Sequence, residues 1–154
     1  EEAVALRALA HLESSRLLTS QGRGMPAAVA ADRALAVVDG AAKAYARLGV
    51  DVPTSFRVQM ARAEAALGTI HAELLEVHDE AQPHFERAQL LDPTPRHRLL
   101  WAGSLAQTGR FLEARRVMGT VAIGRVLARD AARVMALLGD ETGAAQYRMR
   151  AAPE

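Results

Sequence analysis

A pattern of small and large apolar residues recurs along the second half of this chain, with a spacing of about 34 residues. Each copy carries small residues at matching points of two successive apolar stretches. In chain order these small residues are Gly68, Ala81 and Ala88, then Ala102 and Ala114, then Ala132, Ala144 and Ala151. Such a recurrence is typical of stacked helical hairpins, each of which buries its apolar face against its neighbours. The pattern therefore predicts an all-α fold.

The recurrence resembles the tetratricopeptide repeat family, in which every unit is a pair of antiparallel helices, A and B. In that family a small residue midway along helix A lets helix B approach closely. Gly68, Ala102 and Ala132 occupy this place. Large residues fill the gaps between layers, and they are Leu67, Phe85, Trp101, Leu105, Met135 and Tyr147. The resemblance implies a short α-solenoid of stacked hairpins.

The predicted turns follow the same pattern, with two departures. Gly109 and Gly139 stand where helix A ends, since Gly supplies the left-handed conformation that such an end prefers. Asp92-Pro93 ends a helix because the residue before Pro is pushed out of the α region. The turn at residues 75–80 lacks the expected Gly, and the distance from Gly109 to Gly139 is about four residues short of the repeat length.

Helix-starting and helix-ending residues predict about eight helices, arranged as four hairpins. Their approximate ranges are 2–19, 26–48, 55–77, 80–91, 95–108, 111–119, 121–138 and 142–150. Residues 1–53 are predicted to form an N-terminal hairpin that is either a degenerate repeat or a packing cap. Residues 54–154 are predicted to form the repeats proper, at about 54–93, 94–120 and 121–151.

Composition supports a single helical domain of 154 residues. Half of the residues are hydrophobic, and the strict alternation that would indicate strands is absent. Cysteine is also absent, which excludes disulfides and thiol chemistry.

The sequence has no secretory leader and no apolar run of membrane-spanning length, and we expect a cytoplasmic protein. Because it begins at Glu1 rather than Met, we also expect that it can be a trimmed piece of a longer protein.

Charge is balanced overall but unevenly distributed along the chain. The formal net charge of +1 predicts neither a nucleic-acid partner nor a membrane surface. Residues 1–95 carry nine basic and thirteen acidic side chains, whereas residues 96–154 carry ten and five. Two halves of opposite net charge would suit head-to-tail self-association. Arg125, Arg129 and Arg133 follow i, i+4, i+8 spacing and are predicted to form one stripe on the seventh helix.

The resemblance to the tetratricopeptide repeat family also implies a concave groove lined by certain helix-A positions. Together with the arginine stripe, the implied lining residues are Arg62, Thr69, Glu73, Arg96, Leu99, Gln107, Arg125, Arg129 and Arg133. Arg can hold a carboxylate with two parallel hydrogen bonds, so we expect the groove to bind an acidic segment or a free C-terminus of another protein. The alternative interpretation is an ordinary solvated helix face.

No assembled catalytic or cofactor-binding motif is visible in the sequence. It lacks Cys and the H-E-x-x-H and G-x-S-x-G motifs. Residues 119–125 contain two Gly at P-loop spacing, but Arg125 stands where the phosphate-binding Lys is needed. The only group that resembles metal ligands consists of His71, His78, His84, Asp79 and Glu80. We interpret these histidines as structural, and we expect no enzyme activity, no cofactor and no bound metal.

Two classes of function remain. The first is an interaction scaffold that holds a peptide or helix of a partner protein in its groove. The second is a sensory or regulatory domain of a larger protein, such as a transcription regulator, which binds a small molecule or associates with itself. A melting temperature that rises with a ligand would favour the small-molecule version. A mass that rises with protein concentration would favour self-association.

Overall fold

The structure is a computed structural model that describes residues 1–119 and 123–151. Within these residues the chain forms eight α-helices and one short 3₁₀ turn, and no strand. The elements are α1 (Glu2–Ser20), α2 (Gly24–Arg47), α3 (Thr54–Glu73), α4 (His78–Leu91), α5 (Pro95–Gln107), α6 (Phe111–Met118), the 3₁₀ turn (Arg125–Leu127), α7 (Ala128–Leu137) and α8 (Glu141–Ala151). The predicted all-α class and its eight helices are therefore confirmed.

Successive helices pack as hairpins, and the hairpins belong to two compact units, Glu1–Asp92 and Pro93–Glu154. In the first unit α1 packs on α2 and α3 packs on α4, and in the second unit α5 packs on α6 and α7 packs on α8. The predicted division after residue 53 does not coincide with this boundary. The reason is that α1 and α2 both pack against α3, so the first two hairpins share one unit.

Alanine dominates the buried apolar residues. In the described part of the chain, nineteen of the thirty buried hydrophobic residues are Ala. The large side chains that are almost fully buried are few, and they include Val38, Phe56, Leu67, Ile70 and Leu105. The distance between packed helices depends on the side chains at the contact, so helices that meet through Ala lie close together.

Gly68 lies at a close approach between α3 and α4. A Cβ atom added at Gly68 would stand 2.8–2.9 Å from three ring carbons of Phe85, and Phe85 is itself buried. Real Cβ atoms do not approach other atoms so closely, because such a contact lies well inside the optimal carbon separation of about 3.5–4.0 Å. The predicted need for a small residue at this point of the hairpin is confirmed. Ala102 and Ala132 are likewise buried in the second unit.

Two of the predicted helix ends are confirmed in the second unit. Gly109 and Gly139 follow α5 and α7, and their φ angles are +78° and +76°. The amide of Arg110 donates to the carbonyl of Leu105, and the amide of Asp140 donates to the carbonyl of Met135. These bonds satisfy carbonyls that the end of a helix leaves without an intrahelical partner.

The turn between α3 and α4 differs from its prediction. Helix α3 ends at Glu73, four residues earlier than predicted, and α4 begins at His78, two residues earlier. Pro83 consequently lies in the second turn of α4. Glu76 adopts a positive φ of 55° and thereby takes the left-handed position for which the repeat pattern expects Gly. The chain makes the turn with an unfavourable residue.

We expect Glu76→Gly to raise the free energy of unfolding by about 1 kcal/mol, because a residue with a Cβ atom is strained at positive φ and Gly is not. The gain is limited by the larger conformational freedom of Gly in the unfolded chain. Urea denaturation measures the change. The matched control is Glu86→Gly, at an exposed position inside α4, which should lower stability by about 1 kcal/mol. Destabilisation by both substitutions would contradict the assignment of strain to Glu76.

The start of α7 also differs from its prediction. The helix begins at Ala128, directly after the 3₁₀ turn. Gly124, which precedes that turn, has an extended backbone (φ −76°, ψ 170°). Arg125 lies in the 3₁₀ turn, so the predicted stripe on one helix is reduced to Arg129 and Arg133. Residues 120–122, where the prediction placed the beginning of this helix, lie outside the described residues.

Candidate functional site

The first unit contains a cleft with a volume of about 540 Å³ between three helices. The residues that line it are Asp32, Leu35, Ala36 and Asp39 from α2, Met60 and Glu64 from α3, and Arg87, Leu90 and Leu91 from α4. On each helix these residues are spaced by about one helical turn, so each helix contributes one continuous row of side chains. Helices α2 and α4 both pack against α3, which contributes Met60 and Glu64.

A buried carboxylate with two basic partners stands in the wall of this cleft. Glu64 is only 4% exposed. One of its oxygens, Oε2, lies 2.6 Å from Nδ1 of His84, and the other, Oε1, accepts a hydrogen bond of 2.8 Å from Nε of Arg87. His84 and Arg87 are three residues apart on α4, so one helix face presents both groups to α3. Both carboxylate oxygens are therefore satisfied, as a buried charge requires.

The short distance between Glu64 and His84 fixes where the proton lies. A carboxylate oxygen can only accept, so Nδ1 of His84 must carry the hydrogen. Nη2 of Arg87 is 2.9 Å from the same Nδ1, but a protonated Nδ1 has no lone pair to offer it. The guanidinium is consequently held by Glu64 through Nε. Burial by itself raises the pKa of Glu64. The hydrogen bonds and charges of His84 and Arg87 lower the pKa by more than burial raises it, so it lies below its ordinary value.

A second histidine extends this cluster along the hairpin. The ring of His71 meets the ring of His84 edge to face, with centroids 5.1 Å apart. Its Nδ1 lies 3.5 Å from a carboxylate oxygen of Glu80. Among the described residues, no three side chains of His, Asp or Glu converge in an arrangement that could hold a metal ion. His71 thus packs its ring on that of His84 between α3 and α4, and its buried Nδ1 has no hydrogen-bond partner among the described residues.

The charges on the opposite wall of the cleft come from α2. Asp32 is exposed, and its carboxylate forms no ion pair or hydrogen bond with a described side chain. Asp39 pairs with Lys43 at 2.6 Å on the same helix, in a partly exposed position. The positive charge of Arg87 is already compensated by Glu64. The cleft therefore presents an apolar floor and a negative edge.

Three of the predicted groove residues belong to the first unit, on a different face of α3 from the cleft. Arg62 and Glu73 are exposed, and Thr69 is half-buried and donates its hydroxyl to the carbonyl of Ala65. Their spacing of seven and four residues places them on one side of the helix. Met60 and Glu64 occupy another side. The predicted lining of α3 is accessible, but it does not contribute to the cleft.

The other six predicted groove residues belong to the second unit, and one of them requires correction. Leu99 is 4% exposed and is part of the core cluster formed by α5, α6 and α7, so it cannot line a surface groove. Its position on α5 faces inward because it lies one turn before Ala102, which is fully buried. The exposed members of the set are Arg96, Gln107, Arg125, Arg129 and Arg133. These exposed positions remain a prediction for the surface of the second unit.

The sequence interpretation missed Glu64 and Arg87, although a signal was present. Glu64 is a carboxylate inside an apolar stretch of α3, between Ala63 and Ala65, and Asp or Glu is rarely buried without a partner. Arg87 lies next to Ala88, a core residue of α4, and is therefore close to the α3 interface. The pairing of Glu64 with Arg87 can be identified only from the tertiary structure, because the two residues are 23 positions apart in the sequence.

In the described ranges, none of the helices combines the length and the apolar character that crossing a bilayer would demand. A scan against protein-family models and searches of curated proteins and of solved structures found no match for this chain.

Proposed function

We propose that this chain is a non-catalytic interaction scaffold, similar in its repeat pattern to tetratricopeptide repeat domains, which binds a helical segment of a partner protein. The observation that supports the proposal is the cleft of the first unit. Its lining combines apolar side chains from three helices, namely Leu35, Met60, Leu90 and Leu91. An amphipathic helix binds such a groove by laying its apolar face into it, with anchors at i, i+3, i+4 and i+7.

The shape of the cleft favours a macromolecule over a small ligand. Small-molecule sites typically bury about 70–90% of the surface of their ligand. Here the edges of the cleft are open, since Leu90 is 75% exposed and Asp32 and Ala36 are exposed as well. Asp32 and Asp39 mark an edge about 10 Å long, which corresponds to two turns of helix. A partner helix of similar length would cover this edge.

Leu90 provides the sharpest test of this proposal, because Leu48 is a matched control on the same unit. Both are leucines with high exposure, 75% and 78%, but only Leu90 lines the cleft. We expect Leu90→Asp to weaken binding of a cleft ligand by about tenfold or more, as loss of an interface anchor does, and Leu48→Asp to change it by less than about twofold. Neither substitution should alter the midpoint of urea denaturation appreciably, since both sites are exposed.

The ligands for this test come from a display library of helical peptides in which the positions of one apolar face are randomised among Ala, Leu, Met and Phe. Selected peptides are labelled, and their dissociation constants for the wild type and the two variants are measured by fluorescence anisotropy. Selection of no peptide would refute the proposed function. Equal binding to the wild type and to Leu90→Asp would place the binding surface outside the cleft.

Self-association is a second candidate, supported by the distribution of charge. Residues 1–92 carry thirteen acidic and nine basic side chains, and residues 93–154 carry five and ten. Copies of the chain would therefore attract one another through unlike halves, and a heterologous contact of this kind closes into a ring or grows into a filament. Sedimentation equilibrium at low and high salt tests this candidate. A monomer at all concentrations would exclude it.

A further inference from the structure

The aspartates in the described lining of the cleft lie on one edge only, the one formed by α2. Asp32 and Asp39 are seven residues apart on α2, so they lie on the same face of the helix, about 10 Å apart. Asp32 has no partner among the described side chains, and the only ion pair of Asp39 there is the partly exposed one with Lys43. Exposed pairs of this kind contribute little, so Asp39 can exchange Lys43 for another cation at small cost.

On the other edge of the cleft the positive charge is already paired with a buried carboxylate. Among the described residues of the lining, Arg87 is the only basic one, and its Nε already donates to the buried carboxylate of Glu64 at 2.8 Å. Beside it, Leu90 and Leu91 present apolar surface. In the described lining, Asp32 is thus the charge without a partner, and Asp39 on the same helix is paired only with the exposed Lys43, so the side formed by α2 is the one that can accept a cation.

We propose that the partner is a basic amphipathic helix, whose apolar face covers Leu35, Met60 and Leu90 and whose flank presents Lys or Arg to Asp32 and Asp39. This inference rests on the proposed function and adds the chemistry of the partner to it. The two basic residues of the partner are about seven positions apart, because that spacing matches the two turns between the aspartates. An acidic helix of the same apolar pattern is disfavoured by repulsion from both aspartates, since unlike and like charges at an interface set specificity.

The test uses three peptide libraries that share the same randomised apolar face. They differ only at two flanking positions seven residues apart, which are Lys, Gln or Glu. We expect the best Lys peptide to bind about tenfold more tightly than its Glu counterpart, with the Gln peptide between them. The advantage of Lys should shrink when the ionic strength rises from about 50 to about 300 mM, because exposed charges are screened.

Two charge-matched double variants locate the effect. Asp32→Asn/Asp39→Asn should abolish most of the difference between the Lys and Glu peptides. Asp51→Asn/Glu73→Gln removes the same number of charges from exposed positions outside the cleft, and should preserve the difference. Leu90→Asp should weaken all three peptides, and the Glu peptide most, because the new carboxylate also repels it.

The outcomes separate this inference from the proposed function. If no library yields a binder, the proposed function itself fails. If Leu90→Asp has no effect, the binding surface lies outside the cleft and this inference is overturned. If all three peptides bind the cleft equally, or if the Glu peptide binds best, the cleft is a helix-binding site but the basic partner is refuted. If the control double variant removes the preference for Lys as well, the preference reflects net charge rather than Asp32 and Asp39, and the inference is overturned.

Discussion

Gly68→Leu is expected to lower the free energy of unfolding by about 3 kcal/mol, the upper part of the range for overpacked cores. The Cβ atom alone would stand 2.8–2.9 Å from the ring of Phe85, before the rest of the leucine side chain is placed. Phe85 is 2% exposed, so its ring is surrounded by protein and cannot turn out into solvent without displacing its neighbours. Gly68→Ala should be destabilising too, by about 1–2 kcal/mol, although Ala favours helix formation.

Gly40 is the matched control for this prediction. It also lies inside a long helix, α2, but a Cβ atom added there would meet nothing within 4 Å. Gly40→Ala should therefore raise the free energy of unfolding by about 0.5–1 kcal/mol, the ordinary benefit of replacing a helical Gly. Urea denaturation of both variants decides the matter. Stabilisation of similar size at Gly40 and Gly68 would show that α3 and α4 do not meet closely at Gly68.

A second large effect is expected when Glu64 loses its partners. In His84→Ala/Arg87→Ala the buried carboxylate retains neither of its two hydrogen-bond donors, and we expect the free energy of unfolding near pH 7 to fall by about 3 kcal/mol. The loss stays below the values of about 5 kcal/mol found for fully buried pairs, because the Arg87 side chain is 49% exposed and its interaction is partly screened. An unchanged stability would mean that water in the cleft replaces both donors.

The same carboxylate gives the stability of the protein a dependence on pH. Burial raises the pKa of Glu64, but the bonds from His84 and Arg87 outweigh it, and the pKa in the folded state is lowered. A lowered pKa stabilises the folded protein at pH values above the unfolded-state value of about 4.3, and this stabilisation is lost as the pH falls through the folded-state pKa. We expect the wild type to lose more stability than Glu64→Gln between about pH 5 and pH 3.

Glu113→Gln is the control for the role of burial. Glu113 also accepts two hydrogen bonds from one arginine, Arg110, at 2.9 and 2.6 Å, but both side chains are largely exposed. Its substitution should leave the free energy of unfolding at neutral pH nearly unchanged, since exposed ion pairs contribute little. If Glu64→Gln and Glu113→Gln changed the free energy of unfolding equally, burial would not be what makes the ion pairs of Glu64 stabilising.

The features that sequence could predict are those determined by neighbours along the chain. The ends of α5 and α7 at Gly109 and Gly139 depend on local backbone conformation, and both are confirmed. The small residue at Gly68 is predictable because the repeat pattern marks where two adjacent helices cross. The turn at Glu76 could not be predicted from residue types, since glutamate rarely adopts a positive φ and nothing in the local composition marks the turn.

The candidate site could not be predicted, because its residues come from three helices that are distant in sequence. Asp32, Glu64 and Arg87 have no characteristic spacing, and only the packing of α2 and α4 against α3 brings them to one cleft. Leu99 illustrates the opposite error. Its position in the repeat pattern implied a groove, yet it lies one turn from Ala102, on the buried side of α5. A rotation of the helix by a fraction of a turn decides whether a residue lies in the core or on the surface. The repeat motif alone does not specify that rotation.

The predominance of alanine in the interior has a thermal consequence. A methyl side chain removes less apolar surface from water than leucine or phenylalanine does, and exposure of apolar surface is what raises the heat capacity on unfolding. With nineteen alanines among the thirty buried hydrophobic residues of the described chain, the heat capacity change per residue is expected to fall below the usual value of about 12–15 cal/mol/K. The stability curve of this protein should therefore be broad and shallow, so that its cold and heat denaturation lie further apart than in a leucine-rich domain of equal stability.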